Sequence, residues 1–587
     1  MQRLKNELPL GVPLGVNKML CSRNKLLTAV IVSNCLLLSL SALADNSNVR
    51  GLQRNLPTTP SYEEPQFGRD EKVLPPAPQR QESEELSQQM RFYVKKISLD
   101  GNSILGTKQL NAIVANYQER HVTMAELHEL RKKLSVMYFE KGYVNSGVLI
   151  PNQKIQDGIV HFQIIEGELT EIKISGVENL KETYITKRIR HGITDPLNYG
   201  DLQTALRVFE QNALIGKVQG KLLAGKRPGE SVLALNIEER SPYDLAISAD
   251  NHRAPTVGAE RLNLTGGYNN ISGYGDSVHL TLSTSEGFDS GAITYDVPLN
   301  SYDTMLTLSY AKSNIAIVEE IIPNSDIDIE GGSSSLDLLV SHPLYRDGLS
   351  TWNVFSGLST KESDTNWSSG GGGAFDQFAE SLSGENKASE LQLGTGWIWR
   401  HVDQVLALSG IYKYGLDAEA NEEIDSNFNI FIGQAQYAML LPSISGRLLV
   451  RSTIQFTGNN LLSLEKIAVG GSQSVRGYRE NQLVRDNGAV ASVELRMPIL
   501  KNEQGKALWD LQYAPFVDYG YSANEESSTN FDTKNIYSAG VGLLWDPYKD
   551  FHATLYWGKA LKELDNEKDG DLQDDGIHFE MSYQVPF

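Results

Sequence analysis

The chain has 587 residues, with 53 Lys and Arg against 73 Asp and Glu, a formal net charge of −20 and 8% aromatic residues. This acidity disfavours nucleic acid as a partner, because a phosphate backbone is bound by clustered Lys and Arg. Past Leu40 no apolar run is long enough for a spanning helix, which excludes helical membrane proteins but leaves open a β-barrel, whose strands alternate apolar and polar faces.

The run Leu26–Leu40 follows Lys18, Arg23 and Lys25 and leads to Ala42-Leu43-Ala44, so residues 1–44 read as a secretory signal peptide. An uncleaved anchor helix is the alternative, disfavoured because the run falls short of ~20 residues. The basic leader is long, and a start at Met19 would give a signal of ordinary length. Cys21 and Cys35 both lie in it, so the mature chain is expected to hold no disulfide, no thiolate metal site and no thiol nucleophile. Asn34 before Cys35, and the apolar run continuing after it, argue against a lipoprotein site. Residues 45–90 are expected to hold a short helix at Asn46–Leu56, an extended linker through Pro57, Pro60, Pro65, Pro75, Pro76 and Pro78, and a helical stretch at Glu82–Met90.

An internal repeat follows. Ile97-Ser98-Leu99-Asp100-Gly101 matches Ile172-Lys173-Ile174-Ser175-Gly176 at an offset of 75, which also relates Leu127 to Leu202 and Leu134 to Phe209. The first copy, residues 91–167, reads as strand Phe92–Leu99, helices Lys108–Tyr117 and Met124–Lys141, and strands Val144–Ile150 and Gly158–Ile165; Thr123 and Glu126 offer a capping box for the second helix. The second copy, residues 168–241, reads as strand Leu169–Ile174, helices Lys181–Arg190 and Gly200–Leu214, and strands Lys217–Leu223 and Ser231–Ile237. This βααββ order resembles POTRA modules. Leu149-Ile150-Pro151-Asn152-Gln153, Asp157-Gly158 and Ile165-Glu166-Gly167 are similar to the first of the two POTRA modules of two-partner secretion transporters.

From 242 to 587 the texture becomes short alternating stretches, sixteen in all, with alternately long and short connections. Long gaps fall at 313–333, 362–388, 415–428, 458–487, 521–533 and 562–576, whereas those at 270–274, 298–302, 343–349, 401–402, 441–445 and 546–549 are short. Long outside loops and tight periplasmic turns are the signature of outer-membrane barrels. The expected fold is therefore α+β periplasmic modules followed by an all-β, 16-stranded antiparallel transmembrane barrel.

Within that frame, alternation over Phe516-Val517-Asp518-Tyr519-Gly520 puts Phe516, Asp518 and Gly520 on one face, and Trp509, Leu511, Tyr513, Val517, Tyr519 and Tyr521 on the other. A carboxylate inside a barrel wall needs a cationic partner. Arg476, in Val475-Arg476-Gly477-Tyr478, carries the planar fork for two-point binding, and Gly520 would let its loop approach closely. Arg479 and Glu480 are expected to add a local charge network. Together the strings resemble the lumen-loop and wall motifs of outer-membrane transporters with POTRA domains, and with the repeat they identify the chain as similar to two-partner secretion transporters (TpsB-like). The final strand carries Ile577, Phe579, Met581, Tyr583, Val585 and Phe587 on one face; Tyr583, Val585 and the terminal Phe587 resemble the signal read by the barrel-assembly machinery.

The resemblance implies that the modules bind a large secreted exoprotein, an adhesin, cytolysin or contact-dependent toxin, which then crosses the barrel to the cell surface. Outer-membrane lipid is the other partner. A helix at Asn46–Leu56 and the sixth outside loop would plug the lumen at rest. An assembly factor that inserts other barrels is the alternative, and a passive porin a third reading. No enzymatic activity, cofactor or metal is expected. Gly370–Gly373 lacks the Lys-Ser/Thr of a phosphate cradle; Asp565, Glu567, Asp569 and Gly570 imitate a calcium loop whose twelfth ligand is replaced by Gly576; His121 and His128 have no neighbouring ligand pair; and no Gly-x-Ser-x-Gly elbow occurs.

Overall fold

The computed structural model describes residues 91–318, 327–369, 384–419, 425, 427–501, 507–525, 535–564 and 570–587. The expected signal peptide, plug helix, proline-rich linker and Glu82–Met90 helix lie outside the described residues, as do Gly370–Gly373, Asp565, Glu567 and Asp569.

In the first module the expected strand Phe92–Leu99 is broken into β1 (Arg91–Val94) and β2 (Lys96–Asp100), because the Lys95 and Lys96 amides both turn to the Gly158 carbonyl. Helix α1 (Thr107–Val114) follows, then β3 (Arg120–Thr123), which pairs with β1 in a small sheet the alternation did not announce. Helix α2 (Met124–Glu140) starts at the capping box, Glu126 N–H donating to Thr123 Oγ1 at 3.2 Å and Thr123 N–H to Glu126 Oε2 at 2.7 Å. Its apolar face, Leu127, Leu130, Leu134 and Tyr138, packs on Val160 and Phe162 of the sheet. That sheet has the order β2, β5 (Ile159–Ile165), β4 (Gly147–Leu149), with β5 parallel to β2. His121 and His128 are both exposed.

The second module repeats the plan with β6 (Glu168–Ser175), α3 (Glu182–His191), α4 (Tyr199–Glu210), β7 (Ile215–Ala224) and β8 (Glu230–Glu239), in the sheet order β6-β8-β7. Leu202 and Phe209 occupy the core positions that Leu127 and Leu134 hold in the first copy. This module is docked beneath the barrel: the Arg188 guanidinium reaches Asp303 at 2.7 Å, His191 stacks on Tyr302 with centroids 3.8 Å apart, and Gln211 Nε2 donates to the Gly348 carbonyl at 2.9 Å.

The barrel strands are β9 (Tyr243–Asp250), β10 (Arg261–Asn269), β11 (Ser277–Ser285), β12 (Phe288–Pro298), β13 (Met305–Ala316), β14 (Ile327–Arg346), β15 (Ser350–Ser369), β16 (Gly384–Arg400), β17 (Gln404–Glu419), β18 (Asn429–Leu441) and β19 (Gly446–Thr457). Two short strands inside the barrel, β20 (Ile467–Val469) and β21 (Leu483–Arg485), form a hairpin. The wall resumes with β22 (Asn487–Lys501), β23 (Ala507–Ala523), β24 (Asn535–Tyr548), β25 (Phe551–Ala560) and β26 (Ile577–Gln584), and it closes when β26 pairs with β9. The cylinder thus has sixteen antiparallel strands.

Alternation sets which face each residue takes: along β13, Thr307, Ser309 and Ser313 are buried toward the lumen while Leu308 and Tyr310 point outward. Tyr345, Trp352 and Trp397 near the periplasmic turns, and Tyr414, Phe456 and Tyr521 near the outer ends, place aromatic rings at the two rims of the apolar band. Several strands run further outward than expected, through residues assigned to the gaps 313–333, 362–388 and 415–428. Pairs there, such as Ser333↔Ser363 and Glu362↔Lys387, are polar on both faces, so the ladder persists where the alternation signal stops. Above the bilayer both faces meet water, and no apolar face is required.

Candidate functional site: the lumen loop and its wall

Residues 458–486 form the sixth outside connection, between β19 and β22, and fold into the barrel. The hairpin β20–β21 carries Val469 and Leu483, which pack with Val475, Tyr478, Val490 of β22 and Ile536 of β24 in a buried apolar cluster. At its tip Arg476, 1% exposed, meets Asp518, 0% exposed, on β23, the thirteenth strand of the wall. Arg476 Nε donates to Asp518 Oδ2 and its second terminal nitrogen to Oδ1, both at 2.8 Å, and the Arg476 backbone N–H also reaches Oδ2 at 3.1 Å. This is the parallel two-point geometry that only a guanidinium supplies.

Phe516 and Gly520 serve the same contact. The guanidinium carbon stands 3.6 Å from the centre of the Phe516 ring and 4.7 Å from that of Tyr556, so the aromatic of the motif is a stacking floor for the cation. A Cβ on Gly520 would lie 2.3 Å from Val469 Cγ1 and 2.7 Å from Val475 Cγ2. Only a bare backbone leaves room for the hairpin. Gly477 has φ 91°, and a Cβ there would meet the Gly558 carbonyl oxygen at 2.6 Å. The Tyr478 hydroxyl sits 3.0 Å from the Tyr537 carbonyl and 2.9 Å from the Lys562 carbonyl, pinning the loop to β24 and to the last outside loop.

Sequence reasoning missed the second acid. Glu494 of β22, 1% exposed, accepts from the remaining Arg476 terminal nitrogen, and Ser492 of the same strand accepts at 3.0 Å. Glu494 is balanced in turn by Arg496 at 2.7 Å and receives the Tyr556 hydroxyl at 3.2 Å. The signal was present in β22, where Ser492, Glu494 and Arg496 alternate with Val493, Leu495 and Met497, a charged inward face against an apolar outward one.

Arg479 and Glu480 both engage the last outside loop. Arg479 reaches into the last outside loop, its Nε donating to Asp574 Oδ1 at 2.6 Å, while the Glu480 carboxylate accepts from the Ser472 N–H at 2.7 Å. Beside Asp574, buried Gln573 uses its whole amide: Oε1 accepts from Glu480 N–H at 2.8 Å, and Nε2 donates to the carbonyls of Asn251 at 2.7 Å and Arg253 at 2.6 Å. Asn251 extends the closing seam, its amide donating to Ile577 O at 2.9 Å and accepting from Phe579 N–H at 2.8 Å. The lumen loop is thereby joined, through one side chain, to the junction of first and last strands.

Tyr583, Val585 and Phe587 lie apart from this cluster. Tyr583 is 44% and Phe587 65% exposed on the outer face, Phe587 packs beside Tyr243 with centroids 5.8 Å apart, and the Val585 N–H donates to the Leu245 carbonyl at 2.8 Å. Among the described residues no group of three or more His, Cys, Asp or Glu is arranged to hold a metal ion.

A closed outer-membrane cylinder, two βααββ modules on its periplasmic side and a loop pinned into its lumen define a protein transporter of the POTRA-barrel class. The chain belongs to the haemolysin secretion/activation protein family ShlB/FhaC/HecB, which it matches over residues 229–544, and residues 92–167 match the ShlB-type POTRA domain. It is 23% identical over 506 residues to the heme/hemopexin transporter protein HuxB of Haemophilus influenzae, covering 82% of this chain and 85% of that one. It is 22% identical over 475 residues to the outer membrane transporter CdiB of Dickeya dadantii, covering 77% and 80%. In fold it is similar to CdiB from Escherichia coli, with a TM-score of 0.63 and 18% identity over 95% of this chain and 98% of that one. The chain is a two-partner secretion transporter of the outer membrane, with its POTRA domains in the periplasm.

Proposed function

We propose that the loop 458–486 closes and shapes the export path, and that Arg476, bound to Asp518 and Glu494, is the latch that fixes it. The observation carrying this reading is a fully buried guanidinium shared by two wall carboxylates at the inner face of the barrel. Burying three charges is costly unless their geometry is satisfied, so the arrangement specifies one loop position. Val475, Gly477 and Tyr478 set the loop against the wall, and Phe516 and Gly520 receive it.

In the same reading, residues 91–167 and 168–241 capture a large exoprotein arriving unfolded in the periplasm. Sheet edges β2 and β4 in the first module, and β6 and β7 in the second, support this, since an edge strand offers backbone groups to an extended client without demanding one sequence. The barrel-assembly machinery would act on the outward face of β26 during biogenesis. The chain acts as a conduit and performs no covalent chemistry. The test is secretion of its exoprotein partner from cells carrying Asp518→Asn: inserted barrel with lost export supports the latch, and full export opposes it.

A further inference from the structure

A second ionic cluster lies in the lumen, away from Arg476. Its central residue is Glu465, at the end of a short 3₁₀ turn, Ser463–Glu465, in the first part of the same loop. The Glu465 side chain is 2% exposed and inserted between two wall lysines: one carboxylate oxygen binds Lys361 of β15, and the other binds Lys413 of β17 at 2.8 Å. Glu390, on the strand between them, completes the group at 3.3 Å from Lys361 and 3.1 Å from Lys413. The Glu465 carbonyl also accepts from Gln455 Nε2 of β19 at 2.7 Å. Independently, Leu461 and Leu462 pack against Ala388, Phe428 and Ile430, so the loop's base is seated on the wall by apolar contact as well as charge.

We propose that Glu465 is a second anchor of the lumen loop, holding its base on β15–β17 while Arg476 holds its tip on β22 and β23. Between the anchors, Gly470 and Gly471 take φ of 119° and 99°, conformations that L side chains rarely adopt, and they form the natural pivot. Breaking the Arg476 pairs loosens only the tip, which Tyr478, Arg479 and Glu480 also hold; clearing the lumen requires release of Glu465 too. The wall tolerates that release. Without the loop carboxylate, Lys361 and Lys413 still share Glu390, at 3.3 and 3.1 Å. This inference rests on the loop being the lumen's closure, but it concerns where the loop is held rather than what passes.

The test is single-channel recording of the full chain in planar bilayers in potassium chloride, without exoprotein, so that its outcome is independent of cargo. Insertion is checked by heat-modified mobility. Glu465→Gln removes the charge with little change of volume and should raise the open-to-closed ratio about 10- to 100-fold, the equivalent of losing one charge-assisted hydrogen-bonded pair. Its effect should multiply with that of Arg476→Ala. A Glu465→Gln channel within about twofold of the parent, a shift well below one charged pair, overturns the proposal. So does an Arg476→Ala channel on which Glu465→Gln has no further effect.

Discussion

Ser492 and Asp518 stand directly opposite one another in the β22–β23 ladder, and the Arg476 guanidinium bonds to both, at 3.0 and 2.8 Å. The loop is thus fastened across a strand pair rather than to one strand. A lysine has the charge but not the planar fork. Arg476→Lys should leave export as impaired as Arg476→Ala at equal levels of inserted barrel; recovery of export with lysine would mean that charge alone suffices.

Gly520 tests the same contact without touching a charge. Gly520→Val would drive its side chain into Val469 and Val475, a kind of overpacking that costs about 1–3 kcal/mol. The hairpin should lift off the wall, and conductance should rise although Arg476 and Asp518 are intact. Conductance equal to the parent's would show that the hairpin yields locally.

Much of this site was legible in the sequence, for reasons that residues make plain. Asp518 was visible because its neighbours Val517 and Tyr519 are apolar and face lipid, so a carboxylate on the other face stood out. Glu494 lies under the same rule but required the inward face of β22 to be read against β23, a register that no single strand declares. Glu465 and Gln573 were not legible. They belong to connections without periodicity, and their partners, Lys361, Lys413, Asn251 and Arg253, come from distant strands and loops. The outward extensions of β14–β17 were hidden because most of their residues are polar, so that a pair such as Ile329 and Trp367 stood alone rather than in a run of alternation.

Gln573→Ala should weaken the closing seam. It strands the carbonyls of Asn251 and Arg253 and the Glu480 N–H, and leaving a buried polar group unsatisfied costs about 1–3 kcal/mol. The expected result is a lower temperature for loss of the compact band on heated gels, with faster hydrogen exchange at Phe579. An unchanged temperature would assign the seam's strength to the β9–β26 ladder alone.

In the first module, Glu166 ties the loop after β2 to the helical layer. It accepts from the amides of Ser103 at 2.7 Å and Ile104 at 3.0 Å, from the Ser103 hydroxyl, and from Tyr138 at 3.1 Å. Burial pushes its carboxyl up, but the Ser103 and Ile104 bonds outweigh burial and hold it below the ordinary glutamate value. A carboxyl depressed in the folded state contributes stability that is fully present above its unfolded pKa and is lost as pH falls through the lower folded value. Amide protection at Ser103 and Ile104 should therefore hold at neutral pH and fall on acidification, whereas Glu166→Gln should lower it at neutral pH and flatten the pH dependence. A parent-like profile in the variant would remove Glu166 as the cause.

The most direct measurement is the amount of exoprotein released by cells carrying Arg476→Ala, normalised to barrel inserted in the outer membrane. Removing the guanidinium leaves Asp518 and Glu494 buried and close together without their shared cation, a loss of about 3–5 kcal/mol in comparable buried pairs, so the loop loses its fixed position. Release should collapse while the barrel still inserts; release equal to the parent's at the same barrel level would contradict the latch.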